Sequence, residues 1–356
     1  MRLIFGKPPQ PAGEPLPLTG IHRILVCYVS HTLGNTLLLT PLIQELEATY
    51  PGAEIDILTR RGGASVIYRN YFSVSRIFSL PAHGFGHPIA LWRELGAMRR
   101  NSYDLVIDPD PQSQTGRLYL LMARAKWKLG FSSRKKTGNL THAVPFSDAP
   151  ESKGKSLVFL LRSALGKPAS DSWPQPDIRL SAGEQNEGRE ALARVLATVS
   201  SAAGKKGVIG IFANATGDKL LGQDWWTPFL DTLEAAHPDY QLVEIVPMFG
   251  RSMLGGRYPT FFSTDLRKLA SVLSALNVYI SADCGIMHLA SATCVPTMGI
   301  FTRTKAQEWG VYGGQNHTIY GYDRTPSDIA GEIAGLLPGT GARPVTMPPQ
   351  TSFARP

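Results

Sequence analysis

The sequence of 356 residues predicts an α/β protein with two similar domains, and three features of the chain support this prediction. In the first half, short apolar segments typical of strands that are covered on both faces alternate with segments of helical spacing. The same alternation starts again at residue 207. Between the halves, residues 167–178 are polar and contain three prolines, which is typical of a linker.

The first half begins with a predicted strand at residues 24–29, followed by a loop at 30–35. Leucines at helical spacing then predict a helix that ends at Tyr50-Pro51-Gly52, because proline and glycine both stop helices. Further strands are predicted at 54–58, 104–108 and 128–131, with a helix at 118–125. This order of strand, helix and strand indicates a parallel sheet.

The second half repeats the pattern with other lengths. It contains predicted strands at 207–212, 242–246, 277–280 and 297–301, and predicted helices at 225–237 and 265–276. The predicted organisation is therefore an extended N-terminal arm (1–20), an N-terminal domain (21–170), a C-terminal domain (171–338) and a tail rich in proline and glycine (339–356).

Composition excludes several protein classes. A hydrophobic fraction of 43% with 18% charged residues is typical of a folded globular chain and not of a disordered one. The three cysteines form no C-x-x-C pair, so a disulfide framework and a cysteine zinc site are both disfavoured. No signal peptide or membrane-spanning segment is evident, and we expect a cytoplasmic protein. The net charge of +8 suits an anionic partner, but no nucleic-acid-binding motif accompanies it.

The loop after the predicted strand 277–280 is the first candidate ligand site, because open α/β sheets bind ligands at the carboxyl ends of their strands. Gly285 allows close backbone approach, and the start of the following helix favours a phosphate. His288 can donate to a diphosphate or be structural, and Asp283 can contact a ligand or cap the helix. Cys284 is interpreted as a small neighbour, since nothing supplies a base for it.

A second candidate loop follows the strand 207–212. Asn214, Thr216 and Lys219 offer amide, hydroxyl and ammonium donors that suit a phosphate, although a solvated surface loop is an equal alternative. The loop at 30–36 lacks the G-x-G-x-x-G spacing, which disfavours a nicotinamide or flavin cofactor.

Two features of the first half remain open in their interpretation. Asp108-Pro109-Asp110 has the D-x-D form that can hold a divalent ion on a diphosphate, but both aspartates can instead be turn formers. Residues 111–147 contain no acidic side chain. Their basic side chains, among them Arg117, Arg134 and Lys135, can bind a phosphorylated acceptor or an anionic lipid, or form a solvated face.

Taken together, these segments resemble glycosyltransferase family 9, whose best-known members are the ADP-heptose:lipopolysaccharide heptosyltransferases. The resemblance covers about residues 22–320. It rests on residues 33–41, 50–56 and 103–108, on Lys219 with the two tryptophans soon after it, and most specifically on residues 283–292 followed by Pro296.

The resemblance implies a GT-B fold, in which two Rossmann-like domains with parallel sheets face a central cleft. The N-terminal domain would bind the acceptor, and the C-terminal domain would bind the nucleotide-sugar donor. It implies inverting, metal-independent transfer of a sugar, with ADP-heptose as the favoured nucleotide-sugar, onto a lipopolysaccharide core or a related glycolipid, with no further cofactor. Peripheral contact with the inner membrane would follow from such an acceptor. Lys219 and His288 would contact the diphosphate, with Thr216 and Gly285 as neighbours and Asp283 orienting the loop.

The chain departs from the family at one position that matters for catalysis. The family's general base is an aspartate in a Leu-Gly-Asp turn, and this chain has Asn35 there. An amide cannot accept a proton at neutral pH, so His31, Asp108 and Asp110 become candidate substitutes. The alternative is a nucleotide-sugar-binding protein with weak or no transferase activity.

Overall fold

The computed structural model describes residues 14–30, 32–60, 62–81, 86–132, 139–167, 172–199 and 205–337. Three candidate site residues, His31, Arg134 and Lys135, lie outside the described residues, as does the predicted tail 339–356. Of the predicted arm, residues 14–20 are described. Leu16 is buried there, and its backbone N–H donates to the carbonyl of Ala164, so this part packs against the first domain.

The first sheet has six parallel strands in the spatial order β3-β2-β1-β4-β5-β6. These strands are β1 (Arg23–Cys27), β2 (Glu54–Arg60), β3 (Val74–Leu80), β4 (Ser102–Asp108), β5 (Arg124–Ser132) and β6 (His142–Pro145). The central strand β1 is almost wholly apolar and buried, because helices cover both faces of the sheet. The helices are α1 (Leu33–Leu38), α2 (Thr40–Thr49), α3 (Ala64–Ile67), α4 (Pro88–Arg100), α5 (Gln114–Met122) and α6 (Lys153–Ala164).

The second sheet repeats this topology in the order β12-β11-β10-β7-β8-β9, again with all strands parallel. Its strands are β7 (Gly207–Phe212), β8 (Tyr240–Val246), β9 (Thr260–Phe262), β10 (Val278–Ala282), β11 (Thr297–Phe301) and β12 (His317–Tyr320). Its helices are α7 (Ala182–Leu196), α8 (Gln223–Ala236), α9 (Leu266–Leu273), α10 (Gly285–Ser291), α11 (Ala306–Trp309) and α12 (Pro326–Leu336).

Each sheet reverses its strand order at one point, between β1 and β4 in the first and between β7 and β10 in the second. Such a reversal opens a crevice at the carboxyl ends of the strands. The loops that the sequence singled out follow these four strands. The predicted α/β class with two Rossmann-like parallel sheets is confirmed.

A buried arginine of α9 links the two domains. Arg267 donates from Nη1 to the carbonyl of Val66, 3.0 Å away in the first domain, and from Nη2 to the carbonyl of Arg179, 3.1 Å away between the domains. Its guanidinium also forms a salt bridge with Glu184 at the start of α7. One side chain therefore holds three segments that are distant in sequence.

Some predicted boundaries differ from the structure. The helix predicted at 118–125 is α5 and ends at Met122, because β5 already begins at Arg124. Strand β3 and helices α4 and α7 were not predicted, since their exposed faces interrupt the apolar pattern. Helix α6 was not predicted either, although Ser163 is its one exposed residue. Within the described part of the chain, no helix is long and apolar enough to cross a membrane.

Candidate active site

A charged cluster lies at the crevice of the second sheet. Lys219, in the loop after β7, places its Nζ 3.2 Å from Oδ2 of Asp283, which follows β10. The hydroxyl of Thr304 donates to the same carboxylate oxygen at 2.6 Å. Asp283 is nearly buried, whereas a quarter of the Lys219 side chain is exposed. The carboxylate therefore fixes an ammonium group that is still open to solvent, as binding an anionic ligand requires.

The interpretation of Asp283 as a helix cap is not supported. The residue at the cap position of α10 is Cys284, and its side chain makes no capping hydrogen bond. Burial raises the pKa of the Cys284 thiol, which favours the protonated form. A thiol in that state is a poor nucleophile, in agreement with its interpretation as a small neighbour.

His288, in the first turns of α10, is buried between the two domains. Its ring packs against Gly34 of α1, where an added methyl group would lie 2.8 Å from Cδ2. Desolvation and the positive charge of Lys219 lower the pKa of the imidazole to about 4, against the opposing effect of Asp283. The ring is therefore neutral at pH 7 and can donate only one N–H.

The helices that follow the central strands of the two sheets meet at this point. Helix α1 follows β1, α10 follows β10, and the two pack against each other. At Gly285, an added methyl group would lie 3.2 Å from Cβ of Leu33.

Asn214 is half-buried and Thr216 is exposed in the loop after β7, and Gly217 beside them has a positive φ of 65°. These donors lie in the loop that carries Lys219.

Asn35 lies on α1, on the first-domain side of this contact. Its Nδ2 donates to the hydroxyl of Ser30 at 3.1 Å. Its Oδ1 is buried, and no described residue donates to it. Because buried polar atoms are nearly always hydrogen-bonded in folded proteins, this amide oxygen has an open position for a donor from a ligand or from water.

Two candidate residues of the first domain are corrected by the structure. Asp108 ends β4 and Arg117 lies on α5, and both side chains are completely buried. Arg117 donates from Nε to Oδ2 of Asp108 at 3.0 Å and from Nη2 to the carbonyl of Phe131 at 2.6 Å. Arg117 is therefore not part of an exposed basic face, and Asp108 is not accessible as a base. The pair forms because α5 packs closely on the sheet, where Gly116 leaves room beside Asp108.

The other aspartate of the D-x-D triplet has the contacts of a turn former. Oδ1 of Asp110 accepts the backbone N–H of Gln112 at 2.8 Å and lies 3.7 Å from Nζ of Lys153. Asp108 and Asp110 thus have different surroundings. Among the described residues, no group of three histidine, cysteine or acidic side chains could hold a metal ion.

Thr304 was missed by sequence reasoning. It lies in the loop after β11, three residues beyond Phe301, and β11 is the neighbour of β10. The signal was its position after a predicted strand, together with the exposed cations Arg303 and Lys305 on either side of it. Without the strand order, nothing connected that loop with Asp283.

Two sequence comparisons found similar proteins. The sequence model described as glycosyltransferase family 9 (heptosyltransferase) matches residues 262–329, which include β10, Asp283, His288 and Thr304. A curated relative, the chloroplastic photosynthetic NDH subunit of subcomplex B 1 from Arabidopsis thaliana, is 22% identical over 312 residues, which cover 82% of this chain and 67% of that protein.

Solved structures share the fold. A glycosyl transferase family 9 protein from Veillonella parvula superposes with a TM-score of 0.67 at 17% identity, covering 85% of this chain and 86% of that one. The E. coli heptosyltransferase WaaC with ADP gives a TM-score of 0.64 at 17% identity, with coverages of 88% and 98%. The E. coli ADP-heptose lps heptosyltransferase II also gives 0.64 at 17% identity, with coverages of 89% and 98%. The chain therefore has the GT-B fold of these heptosyltransferases, and its residues 262–329 match the sequence model of glycosyltransferase family 9.

Proposed function

We propose that the protein is an inverting, metal-independent glycosyltransferase that transfers a sugar from an ADP-linked donor, preferably ADP-heptose, to a lipopolysaccharide core or a related anionic glycolipid. The observation that carries this proposal is the cluster of Lys219, Asp283 and Thr304 at the crevice of the second sheet, beside the contact between α1 and α10. Similar folds have been solved with ADP and with an ADP-linked fluoro-heptose.

The donor side supplies positive charge for the leaving group. As the bond between C1 of the sugar and the diphosphate breaks, negative charge grows on the departing phosphate oxygens. Lys219 is already held in place by Asp283, so its ammonium group stabilises that charge without reorganising. Asn214 and Thr216 would add neutral donors, and Gly285 would let the diphosphate approach the backbone.

The acceptor side would position the attacking hydroxyl. The open Oδ1 of Asn35 can accept its hydrogen bond and orient the oxygen towards C1, on the face opposite the leaving group. An amide does not take the proton, which leaves His31 or Asp110 as the base. General-base assistance accelerates such steps about 10²- to 10⁴-fold, so the identity of this base decides the rate. We place the reaction in the cytoplasm at the inner face of the membrane.

Nucleotide binding is the first test. Calorimetry without added metal would compare ADP, UDP, GDP and CMP, and we expect selective binding of ADP. Replacing Lys219 by alanine should weaken the affinity for ADP about 10- to 150-fold, which is the effect of one lost hydrogen bond to a charged group. Lys206→Ala is the matched control. Lys206 precedes β7 and lies at the end of the strand away from the crevice, whereas Lys219 follows β7 at the crevice. Absence of binding to all four nucleotides, or unchanged affinity in Lys219→Ala, would contradict the proposal.

A second candidate function is a binding protein without efficient transfer. Asn35 favours it, and so does the similarity to a protein named as a subunit of a photosynthetic complex. Asn35→Asp separates the two functions once an acceptor is found. A gain in turnover of about 10²-fold or more would mean that the native chain lacks its base. A loss of turnover would mean that the asparagine belongs to a working site.

A further inference from the structure

We propose that the exposed face of α4 is a docking surface for an anionic lipid bilayer. This "α4 face" consists of Ile89, Trp92, Arg93, Arg99 and Arg100. The inference rests on the proposed function only for its biological purpose, since a lipid-borne acceptor must be reached at a membrane. The physical observations that support it are independent of any reaction.

The α4 face is apolar at one end and basic at the other. Ile89 is 85% exposed and Trp92 is 67% exposed, so a large aliphatic and a large aromatic side chain project from the same helix into solvent. If Ile89 is position i, Trp92 is at i+3 and the three arginines are at i+4, i+10 and i+11. These five positions lie on one side of an α-helix. The opposite side, with Leu95 and Met98, is buried against the first sheet.

The charge of the α4 face favours an anionic occupant. Arg93 lies 3.3 Å from Glu94, whereas Arg99 and Arg100 make no ion pair with any described residue. An exposed tryptophan next to aliphatic and basic side chains is the composition of helices that lie in a lipid interface. A second copy of the chain is a weaker occupant, because a symmetric contact would bring the arginines of both copies together.

The position of the α4 face suits access to the first-domain crevice. Helix α4 comes after β3, so its first turn with Ile89 lies towards the carboxyl edge of the sheet. Asn35 follows β1 at the same edge. A bilayer that holds Ile89 and Trp92 would therefore lie on the side of the domain where the acceptor enters.

Vesicle flotation with the full chain and no nucleotide tests the proposal. Vesicles of phosphatidylcholine with phosphatidylglycerol should bind the protein more tightly than vesicles of phosphatidylcholine alone. We expect the double variant Ile89→Ser/Trp92→Ser to weaken binding at least about tenfold, and Arg99→Gln and Arg100→Gln to weaken it about fivefold each. All four side chains are on the surface, so the variants should keep the wild-type melting temperature.

Phe249→Ser is the matched control, because Phe249 is an exposed aromatic residue next to an arginine on the other domain. Its binding to anionic vesicles should equal that of the wild type. Three results would overturn the proposal: no binding to anionic vesicles, an equal loss in Phe249→Ser, or wild-type binding by the α4 variants. Self-association without lipid that the double variant abolishes would assign the α4 face to a second copy. Because nucleotide binding is measured separately, failure of this proposal is distinguishable from failure of the proposed reaction.

Discussion

The buried pair of Asp108 and Arg117 gives a sharp test of a structural role against a catalytic one. Replacing Asp108 by asparagine removes one charge and keeps the shape, so the guanidinium of Arg117 loses its anion while both side chains are completely buried. Desolvation already lowers the pKa of Arg117, and the charge of Asp108 opposes this shift. The variant therefore leaves a buried cation without a counter-ion, held only by neutral acceptors such as the carbonyl of Phe131.

The expected cost follows from this geometry. Breaking a buried ion pair by removing one partner destabilises a protein by about 3–5 kcal/mol. In the wild type, Nε of Arg117 donates to the carboxylate of Asp108 at 3.0 Å, and asparagine would still offer it an oxygen. We therefore expect a loss of about 3 kcal/mol in the free energy of unfolding, near the lower limit of this range. For a domain of about 150 residues, each kcal/mol lowers the melting temperature by about 2–4 °C, so the expected decrease is about 6–12 °C.

Scanning calorimetry and urea denaturation would measure the effect. Asp148→Asn is the control, because Asp148 is an exposed carboxylate of the same domain, and its change should stay within about 0.5 kcal/mol. The double variant Asp108→Leu/Arg117→Met removes both charges and should be more stable than Asp108→Asn. A wild-type melting temperature for Asp108→Asn, combined with turnover lowered by about 10²-fold or more, would refute this reasoning and make Asp108 a base.

Three further predictions concern the contact between the domains. Gly34→Ala should destabilise the protein by about 1–3 kcal/mol in urea denaturation, because the added methyl group would overlap the ring of His288. Gly96→Ala on α4 is the control and should be neutral or stabilising, because nothing lies within 4 Å of the added methyl group there. The ring of His288, with its pKa near 4, should not titrate between about pH 5.5 and 8 in NMR spectra, and a midpoint near 6.5 would show that it is solvated. Hydrogen bonds from Arg267, with smaller contributions from Ser181, hold the pKa of Glu184 at about 2, below its unfolded value. The stability that these contacts contribute above about pH 5 should therefore decrease as the pH falls towards 2, and Arg267→Met should weaken this pH dependence.

Much of the fold was predictable because the central strands are buried on both faces. Segments such as β1, β7 and β11 are continuous apolar runs, and this pattern follows directly from their position inside a parallel sheet. The edge strand β3 carries Ser75 and Arg76 in exposed positions, so its apolar pattern is broken and it was not predicted. Helix α4 was not predicted for a related reason. Its exposed Ile89 and Trp92 are apolar, so apolar residues are not confined to the buried face of this helix.

The donor side of the site was also within reach of the sequence. Lys219 and Asp283 each follow a recognisable strand, and strand ends in parallel sheets are where ligands bind. The ion pair between these two side chains was not predictable, because it depends on β7 and β10 being neighbours in the sheet. In the sequence, 65 residues separate the end of β7 from the start of β10. The burial of Arg117 was hidden in the same way, since a basic stretch in sequence does not tell which of its members faces the core.

The sequence by itself determined the α/β class, the central strands and the loops that carry chemistry, because local apolar patterning and turn residues encode these features. Only the tertiary structure decided which loops meet: Gly34 with His288, Lys219 with Asp283 and Thr304, and Arg267 with three separate segments. It also decided that Asp108 and Arg117 neutralise each other in the core. The physical reason is that strand order and interdomain packing depend on contacts between residues far apart in the chain, and the burial that sets each charge's environment is a property of the whole fold.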